Sequence, residues 1–232
     1  MDISIIDNLA YNIDSVMHRA SALSKIVMVV FVVTTVVIST NPIALAFGLV
    51  LLILTILASN LPVARVLSLV SYAFFFSLIF ALSQVGGGLI GPLVIVLKAV
   101  TAAVSLVLLI TTTPYPQIFA ILQKVLPNIL VDAMLVTYKS LFIIIGQVNN
   151  IVIAMRIRDG YSPLNIVKNL SNTGKIVGHG VIHAWELGES MQEAMFVRGY
   201  KGKLPLTFSW SSISGYDVFP LLVGAAILAA AV

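Results

Sequence analysis

Apolar residues form an unusually long uncharged run near the start of the chain. From Ile26 to Ala64 there is no charged residue. A membrane-spanning helix needs about 20 predominantly apolar residues, so a run of this length predicts two spans. The polar turn Ser39–Pro42 separates them. We therefore predict spans near Lys25–Ser39 and Ile43–Ser59.

Three more apolar runs follow. A third span is predicted over Val66–Val85, and the glycine-rich turn Gly86–Pro92 separates it from a fourth over Leu93–Ile110. Lys98 is the one charged residue in the fourth run, where its long side chain can reach the membrane interface or face a partner. The last run, Tyr216–Val232, is just long enough to cross a bilayer.

The region between the fourth and last spans is more polar and strongly basic. It predicts a short amphipathic helix within Thr111–Pro127, a long apolar-biased helix over Asn128–Gly160 and, after a polar loop, a second long helix over Lys175–Gly199. Basic residues between spans set membrane orientation, so no nucleic-acid partner is predicted. Nine of the thirteen Lys and Arg residues lie here: Lys124, Lys139, Arg156, Arg158, Lys168, Lys175, Arg198, Lys201 and Lys203.

These basic residues also predict the orientation of the spans. Because Lys and Arg are enriched on the cytoplasmic side, we place Lys25 there; two crossings bring Arg65 to the same side, and two more bring Lys124. If Asn128–Ala154 also crossed, the basic stretch Arg156–Lys203 would lie outside. We favour a helix that lies under the bundle or at the membrane surface, with a crossing helix as the alternative. Five polar residues in this helix also count against lipid exposure: Asp132, Lys139, Gln147, Asn149 and Asn150.

These patterns predict an all-α integral membrane protein with about five transmembrane helices, the N-terminus inside and the C-terminus outside. The predicted parts are a cytoplasmic N-terminal segment (1–25), a four-helix transmembrane part (26–110), a basic helical domain (111–214) and a final transmembrane helix (215–232). Composition agrees, since 59% of the residues are hydrophobic and 9% are charged, against about 25% charged in soluble domains. The first twenty residues lack the apolar core of a signal peptide.

Little in the sequence indicates catalysis. There is no G-x-x-x-x-G-K-[ST] motif, so the chain is not expected to hydrolyse ATP by itself; we predict no enzymatic activity and no cofactor. Cysteine is absent, which excludes disulfides and thiolate chemistry. His179, His183 and Glu186 share a helix face and could hold a metal, but a polar face is the simpler interpretation, and no metal site is predicted. Glu186, Glu189 and Glu193 are likewise interpreted as a solvated face.

The predicted spans are nearly free of ionisable groups. Secondary transporters usually place acidic side chains or broken helices near the middle of the membrane. Apart from Lys25 at the start of the first span, Lys98 is the one charged residue within the four predicted spans that precede the basic domain. This pattern argues against a proton- or sodium-coupled carrier that acts alone. A stand-alone carrier or a membrane enzyme is the alternative class of function.

A short basic pattern occurs twice at predicted helix ends. "AMRIRDGY" (Ala154–Tyr161) and the start of "AMFVRGYKGKLP" (Ala194–Pro205) both contain Ala-Met, an Arg four residues after the Ala, and then Gly-Tyr. An Arg in the last turn of a helix complements the helix dipole, which explains a single copy. The repeat favours two similar basic helix ends that bind two similar acidic grooves, because the planar guanidinium suits carboxylates.

The chain resembles the transmembrane T component of energy-coupling factor (ECF) transporters, the EcfT/CbiQ family. "SVMHRASALSKI" (Ser15–Ile26) is similar to the family's N-terminal stretch with its downstream Lys, and "TTTPYPQIFAILQKVLP" (Thr111–Pro127) is similar to its Thr-Thr-x-Pro segment. "IRDG" and "VRG" resemble the family's two Ala-Arg-Gly-like motifs. Three departures stand out: Ser21-Ala22 replaces Asp-Pro, Ile157 and Val197 replace the small residue before each Arg, and Asp159 is inserted in the first copy only.

The resemblance implies a coupling function. Two ABC-type ATPase subunits, identical or different, would bind two long crossed coupling helices within the basic domain, and a substrate-binding membrane subunit (the S component) would dock on the apolar face of Asn128–Ala154. ATP-driven movement would then release a vitamin or a transition-metal ion inside the cell. The residues that match the two ATPase-coupling motifs are, in the first, Ile157, Arg158, Asp159 and Gly160, and in the second, Val197, Arg198 and Gly199.

Overall fold

The structure, a computed structural model, describes residues 15–59, 61–84, 88, 90–157, 165–204 and 215–230. All regular secondary structure in these residues is helical, and with the apolar character of the helices this confirms the predicted all-α membrane fold. The helices are α1 (Val16–Arg19), α2 (Ala22–Ile38), α3 (Pro42–Ala58), α4 (Val63–Ser83), α5 (Ile90–Thr112), α6 (Tyr115–Leu122), α7 (Asn128–Ile157), α8 (Ile166–Val197), a 3₁₀ turn at Gly215–Asp217 and α9 (Val218–Ala229).

Local capping residues set several helix boundaries. α2 begins three residues earlier than predicted because the Ser21 hydroxyl accepts a hydrogen bond from the Ser24 N–H at 3.3 Å. α3 begins with Pro42, whose missing N–H is not needed in the first turn of a helix. The second long helix begins earlier than predicted. α8 begins at Ile166 rather than at Lys175, because the Asn165 side chain accepts from the Lys168 N–H at 3.0 Å.

Within the described residues, three helices are long and apolar enough to cross a membrane by length and composition: α4, α5 and α7. The helices α2 and α3, with 17 residues each, and the C-terminal helical segment Gly215–Ala229 are apolar but shorter. Length and composition thus permit α7 to cross, whereas the distribution of basic residues favours a helix that does not. The non-crossing placement of α7 stays a prediction.

The chain divides into two compact units, and the first comprises Met1–Ile121 with Thr207–Val232. Within it α5 packs against α2, α3 and α4, while α9 packs against α2 and α3. The core residues come from several of these helices and include Met28, Val32, Leu52, Ile56, Val70, Val104, Leu108 and Ile227. The C-terminal helix is therefore built into the same core as the N-terminal spans.

Two glycines allow α9 to approach its neighbours closely. A Cβ on Gly224 would lie 3.1 Å from the Met28 Cα and from the Phe31 ring, and a Cβ on Gly48 would lie 3.2 Å from the Ile227 side chain. Small residues at helix contacts are typical of membrane proteins, where close packing rather than water exclusion holds helices together. Large apolar side chains on the outer surface fit contact with lipid, as with the exposed Phe75 and Phe80 of α4.

The second unit, Leu122–Leu206, consists mainly of α7 and α8 packed against each other. With 30 and 32 residues, these helices are about 45 and 48 Å long. The Ser140 hydroxyl of α7 lies 3.2 Å from the Met191 sulfur of α8, and Tyr138 packs edge-on against Phe142 at 5.0 Å between ring centroids. α8 has no buried residue, which leaves most of its surface accessible to partners.

Candidate functional site

The second basic motif lies at a well-formed helix end. Arg198 is the C-terminal cap of α8. Gly199 adopts a φ of 77°, and its N–H donates to the Phe196 carbonyl at 2.9 Å, while the Tyr200 N–H donates to the Met195 carbonyl at 3.0 Å. This pair of bonds is the Schellman arrangement, which favours glycine at the left-handed position. Gly199 therefore ends α8, as the sequence predicts, and fixes Arg198 at its tip.

The side chains at this tip point to solvent. Val197 is 89% exposed and Arg198 is also exposed. Within the described residues Arg198 forms no ion pair. Its guanidinium is therefore available to a carboxylate on another protein.

The first motif is described only up to its first residue. Ile157 is the last residue of α7 and is 79% exposed, and Arg156 before it is exposed as well. Arg158, Asp159 and Gly160 lie outside the described residues. In both copies the apolar residue that precedes the Arg is thus the exposed end of a long helix.

A buried carboxylate holds the turn that follows the second motif. Asp132 of α7 is only 4% exposed. One of its oxygens accepts from the Tyr200 hydroxyl at 2.8 Å, and both lie 3.2 Å from the Leu204 N–H. The Gln123 amide donates to the Leu204 carbonyl at 3.5 Å, and Gly202 between these contacts has a φ of 83°. The turn therefore folds back onto the start of α7.

The sequence interpretation missed this role of Asp132. It treated the residue only as a polar interruption of an apolar run. The available signal was chemical: a lone carboxylate in the second turn of an apolar helix must find hydrogen-bond donors if it is buried. Nothing in the spacing indicates that Tyr200, which is 68 residues away along the chain, supplies one of them.

Tyr200 should titrate differently when Asp132 loses its charge. The hydrogen bond to the Asp132 carboxylate, with smaller effects of burial and of the negative charge, raises the pKa of Tyr200 above its ordinary value of 10.0. Because the pKa is raised, the hydrogen bond from protonated Tyr200 contributes fully to the stability of the fold below pH 10.0. That contribution is lost as the pH rises through the raised pKa of Tyr200. We expect Asp132→Asn to lower the pKa of Tyr200 towards 10.0.

The measurement is an alkaline titration of tyrosinate absorbance. The chain contains seven tyrosines, so the curve of Tyr200→Phe is subtracted to isolate Tyr200, in the presence and absence of the Asp132→Asn substitution. Tyr72→Phe, at an exposed position of α4, is the control for loss of one phenol. A Tyr200 curve that Asp132→Asn leaves in place would contradict the hydrogen bond.

Two local pairs lie on the histidine and glutamate face of α8. The His183 Nδ1 lies 3.6 Å from a Glu186 carboxylate oxygen, and the Trp185 ring N–H donates to Glu189 at 3.0 Å. Among the described residues no group of three His, Asp or Glu side chains is placed to hold a metal ion.

A second polar cluster lies in the first unit. The Lys25 ammonium, 1% exposed, donates to the Thr112 carbonyl at 2.8 Å. Asp217 accepts from the Ser21 N–H and, at 3.1 Å, from the Ser24 hydroxyl, and it attracts Lys25 electrostatically. The cluster therefore brings together the two family-like stretches, the one containing Lys25 and the Thr-Thr-x-Pro segment, and joins them to the start of the C-terminal helix.

Ser21 also explains how the chain accommodates its departure from Asp-Pro. Ser and Asp are both favoured helix N-caps because each offers a side-chain oxygen to the first free N–H groups. Here Ser21 supplies that oxygen, and Asp217 adds a carboxylate close to the same helix start. The start of α2 is thus capped by Ser21 and joined to Asp217.

Sequence comparisons connect the chain to transport proteins. The profile of a family described as CbiQ, cobalt transport protein, matches residues 14–208. An uncharacterised protein of Methanocaldococcus jannaschii is 32% identical over 103 residues, which cover 44% of this chain and 38% of that protein. A protein of Methanocorpusculum labreanum named as a fused cobalt transport protein, CbiMQ, is 33% identical over 104 residues, 44% of this chain and 17% of that protein. The aligned part is thus less than half of either relative.

Proposed function

The chain belongs to the CbiQ family of cobalt transport proteins, and on that premise we propose that it is the membrane-embedded coupling subunit of an importer driven by ABC-type ATPases. Family membership and the apolar helices together support a role in transport across a membrane. We assign the energy source to two ATPase subunits, and the recognition of the cargo to a separate S component. The chain itself would transmit movement between them.

The observation that carries this proposal is the geometry of the α8 end. An exposed Arg198 follows an exposed Val197, and Gly199 fixes both at the tip of a helix about 48 Å long. A rigid helix with a cation at its tip suits transmission of movement from a partner that binds the tip. The corresponding end of α7 at Ile157 would serve a second partner, with Arg158 as its cation.

The sequence itself supports an external source of energy. No nucleotide-binding loop motif occurs anywhere in the chain, so ATP hydrolysis is assigned to the partners and no enzymatic activity is proposed for this subunit. The paired basic ends favour two ATPase subunits. Their departure from each other at Asp159 is compatible with identical or different ATPases. Both ends and the N-terminus would then lie on the cytoplasmic side of the cell membrane.

The α7 helix offers an apolar surface for the S component. Its exposed side chains include Met134, Leu141, Ile145 and Ile153. We propose that this surface supports the S component, which would bind a vitamin or a transition-metal ion. Cobalt is the first candidate cargo, because the matching family and one relative are described as cobalt transport proteins.

Mass spectrometry of the intact complex tests the proposal. We expect the full-length chain, purified from its native membrane in mild detergent, to carry two ABC ATPase subunits and one small membrane protein. Dissociation with added detergent should release the ATPases as soluble subunits. Recovery of the chain alone from membranes in which such ATPases are expressed would contradict the proposal and favour a stand-alone carrier or a membrane enzyme.

A further inference from the structure

The residues that donate to Asp132 lie just after Arg198 along the chain. Arg198 marks the end of α8 that we propose binds an ATPase subunit, which we call the second coupling end. The hydrogen-bond donors that the described residues give to the Asp132 carboxylate are the Tyr200 hydroxyl and the Leu204 N–H. They lie two and six residues after Arg198 along the chain. A carboxylate that served only the local structure of α7 would find its donors in α7 or in the turn before it. Asp132 instead holds the segment that leaves the coupling end.

Arg198 is therefore held from both sides. On one side it belongs to the last turn of α8, where its N–H donates to the Ala194 carbonyl at 3.2 Å. On the other side Tyr200 is fixed twice, by its N–H to the Met195 carbonyl and by its hydroxyl to Asp132. Hydrogen bonds to a carboxylate are shorter and stronger than neutral ones, and this carboxylate is shielded from water. The exit from α8 is thus restricted to one path.

We propose that Asp132 is a positioning residue for the Arg198 coupling end: it binds the exit turn through Tyr200 and Leu204, and so presents the Arg198 guanidinium to the ATPase subunit in a fixed orientation. The proposal rests on the proposed function. It adds that affinity at this end depends on Asp132, a buried residue near the start of the other long helix. It also implies that movement applied to Arg198 reaches the start of α7 through the turn, in addition to passing along α8.

Hydrogen exchange of the full-length chain in lipid nanodiscs tests the first step. Asp132→Asn leaves one acceptor oxygen where there were two, and the remaining hydrogen bonds lose their charge. We expect amide exchange in Gly199–Leu204 to rise by about tenfold, with the middle of α8 unchanged. Glu193→Gln makes the same chemical change at an exposed site on α8 and should leave the turn protected. Equal exchange in Asp132→Asn and in the wild type overturns the proposal.

Binding of the ATPase subunits tests the second step. The probe is the ATPase subunit that co-purifies with the wild-type chain, titrated onto nanodiscs that contain each variant. We expect Asp132→Asn to weaken binding by about tenfold and Tyr200→Phe to weaken it less. The double variant should bind like Asp132→Asn alone, because the Tyr200 hydroxyl acts through that carboxylate.

The decisive comparison uses an Arg198→Ala background. If Asp132 acts by positioning Arg198, Asp132→Asn should change the affinity by less than about twofold once the guanidinium is gone. A tenfold loss that persists without Arg198 would show a general structural defect and overturn the positioning role. Unchanged binding in Arg198→Ala itself would instead refute the coupling role of Arg198 and, with it, this proposal. A loss in Arg198→Ala but not in Asp132→Asn would refute only the positioning role.

Discussion

Replacing Arg198 with Glu is expected to remove the ATPase subunit from the second coupling end while the chain still inserts and folds. Truncating one partner of a buried charge pair at an interface costs about 2–5 kcal/mol, and a reversed charge adds repulsion from the acidic groove that we propose on the ATPase. Binding should therefore weaken by roughly thirtyfold to several thousandfold. Because Arg198 is exposed at the helix tip, the substitution removes no contact of the core. The measurements are subunit affinity and transport-coupled ATP hydrolysis.

Two controls make this expectation specific. Lys175→Glu reverses another exposed charge on the same helix, far from its end, and should change the affinity little, since isolated surface charges contribute roughly 0–1 kcal/mol. Arg158→Glu should have a smaller effect than Arg198→Glu, because Asp159 already reduces the positive charge beside Arg158. Normal assembly and ATPase coupling in the double variant Arg158→Glu with Arg198→Glu would refute the coupling role of both ends.

The sequence predicted the membrane class and most helices because those features are encoded locally. An uncharged run such as Ile26–Ala64 can hardly form anything but spans, and the turn at Ser39–Pro42 is encoded by the residues that form it. The end of α8 was predictable for the same reason, since Gly199 directly follows the last helical turn. The first residues of helices were predicted less accurately where a side-chain cap sets the start, as Asn165 does for α8.

Contacts between distant parts of the chain could not be predicted in this way. Asp132 and Tyr200 are separated by 68 positions, and Ser24 and Asp217 by 193. Periodicity describes one helix at a time, so it indicates that such residues need partners but not which partners they find. Both polar clusters were missed for this reason, although each uses residues next to stretches that the sequence had marked as family-like.

The polar cluster of the first unit leads to a second large expected effect, on stability. Asp217 is 5% exposed and accepts from the Ser21 N–H and the Ser24 hydroxyl. It also offsets the positive charge of Lys25, whose ammonium is buried against the Thr112 carbonyl. Lys25 and Asp217 form no direct salt bridge in the described residues, so Asp217→Asn removes the charge from two buried hydrogen bonds and a longer-range attraction, an effect of about 1.5–3 kcal/mol. We expect Asp217→Asn to lower the thermal midpoint of the detergent-solubilised chain by roughly 5 °C.

A double substitution separates this charge effect from general damage to the helix start. Asn at 217 keeps an oxygen for the Ser21 and Ser24 donors, whereas Asp217→Asn removes the charge that attracts Lys25. Adding Lys25→Met removes the positive charge that is left without the Asp217 attraction, so it should restore part of the lost midpoint. Lys98→Met, the same change at a lysine that donates to the Val37 carbonyl near the end of α2, should neither restore the midpoint of Asp217→Asn nor change the wild-type midpoint much. If the two substitutions lowered the midpoint additively, the charges of Lys25 and Asp217 would not be coupled. The C-terminal helix would then be held to the first span by packing at Gly224 rather than by the attraction between these two charges.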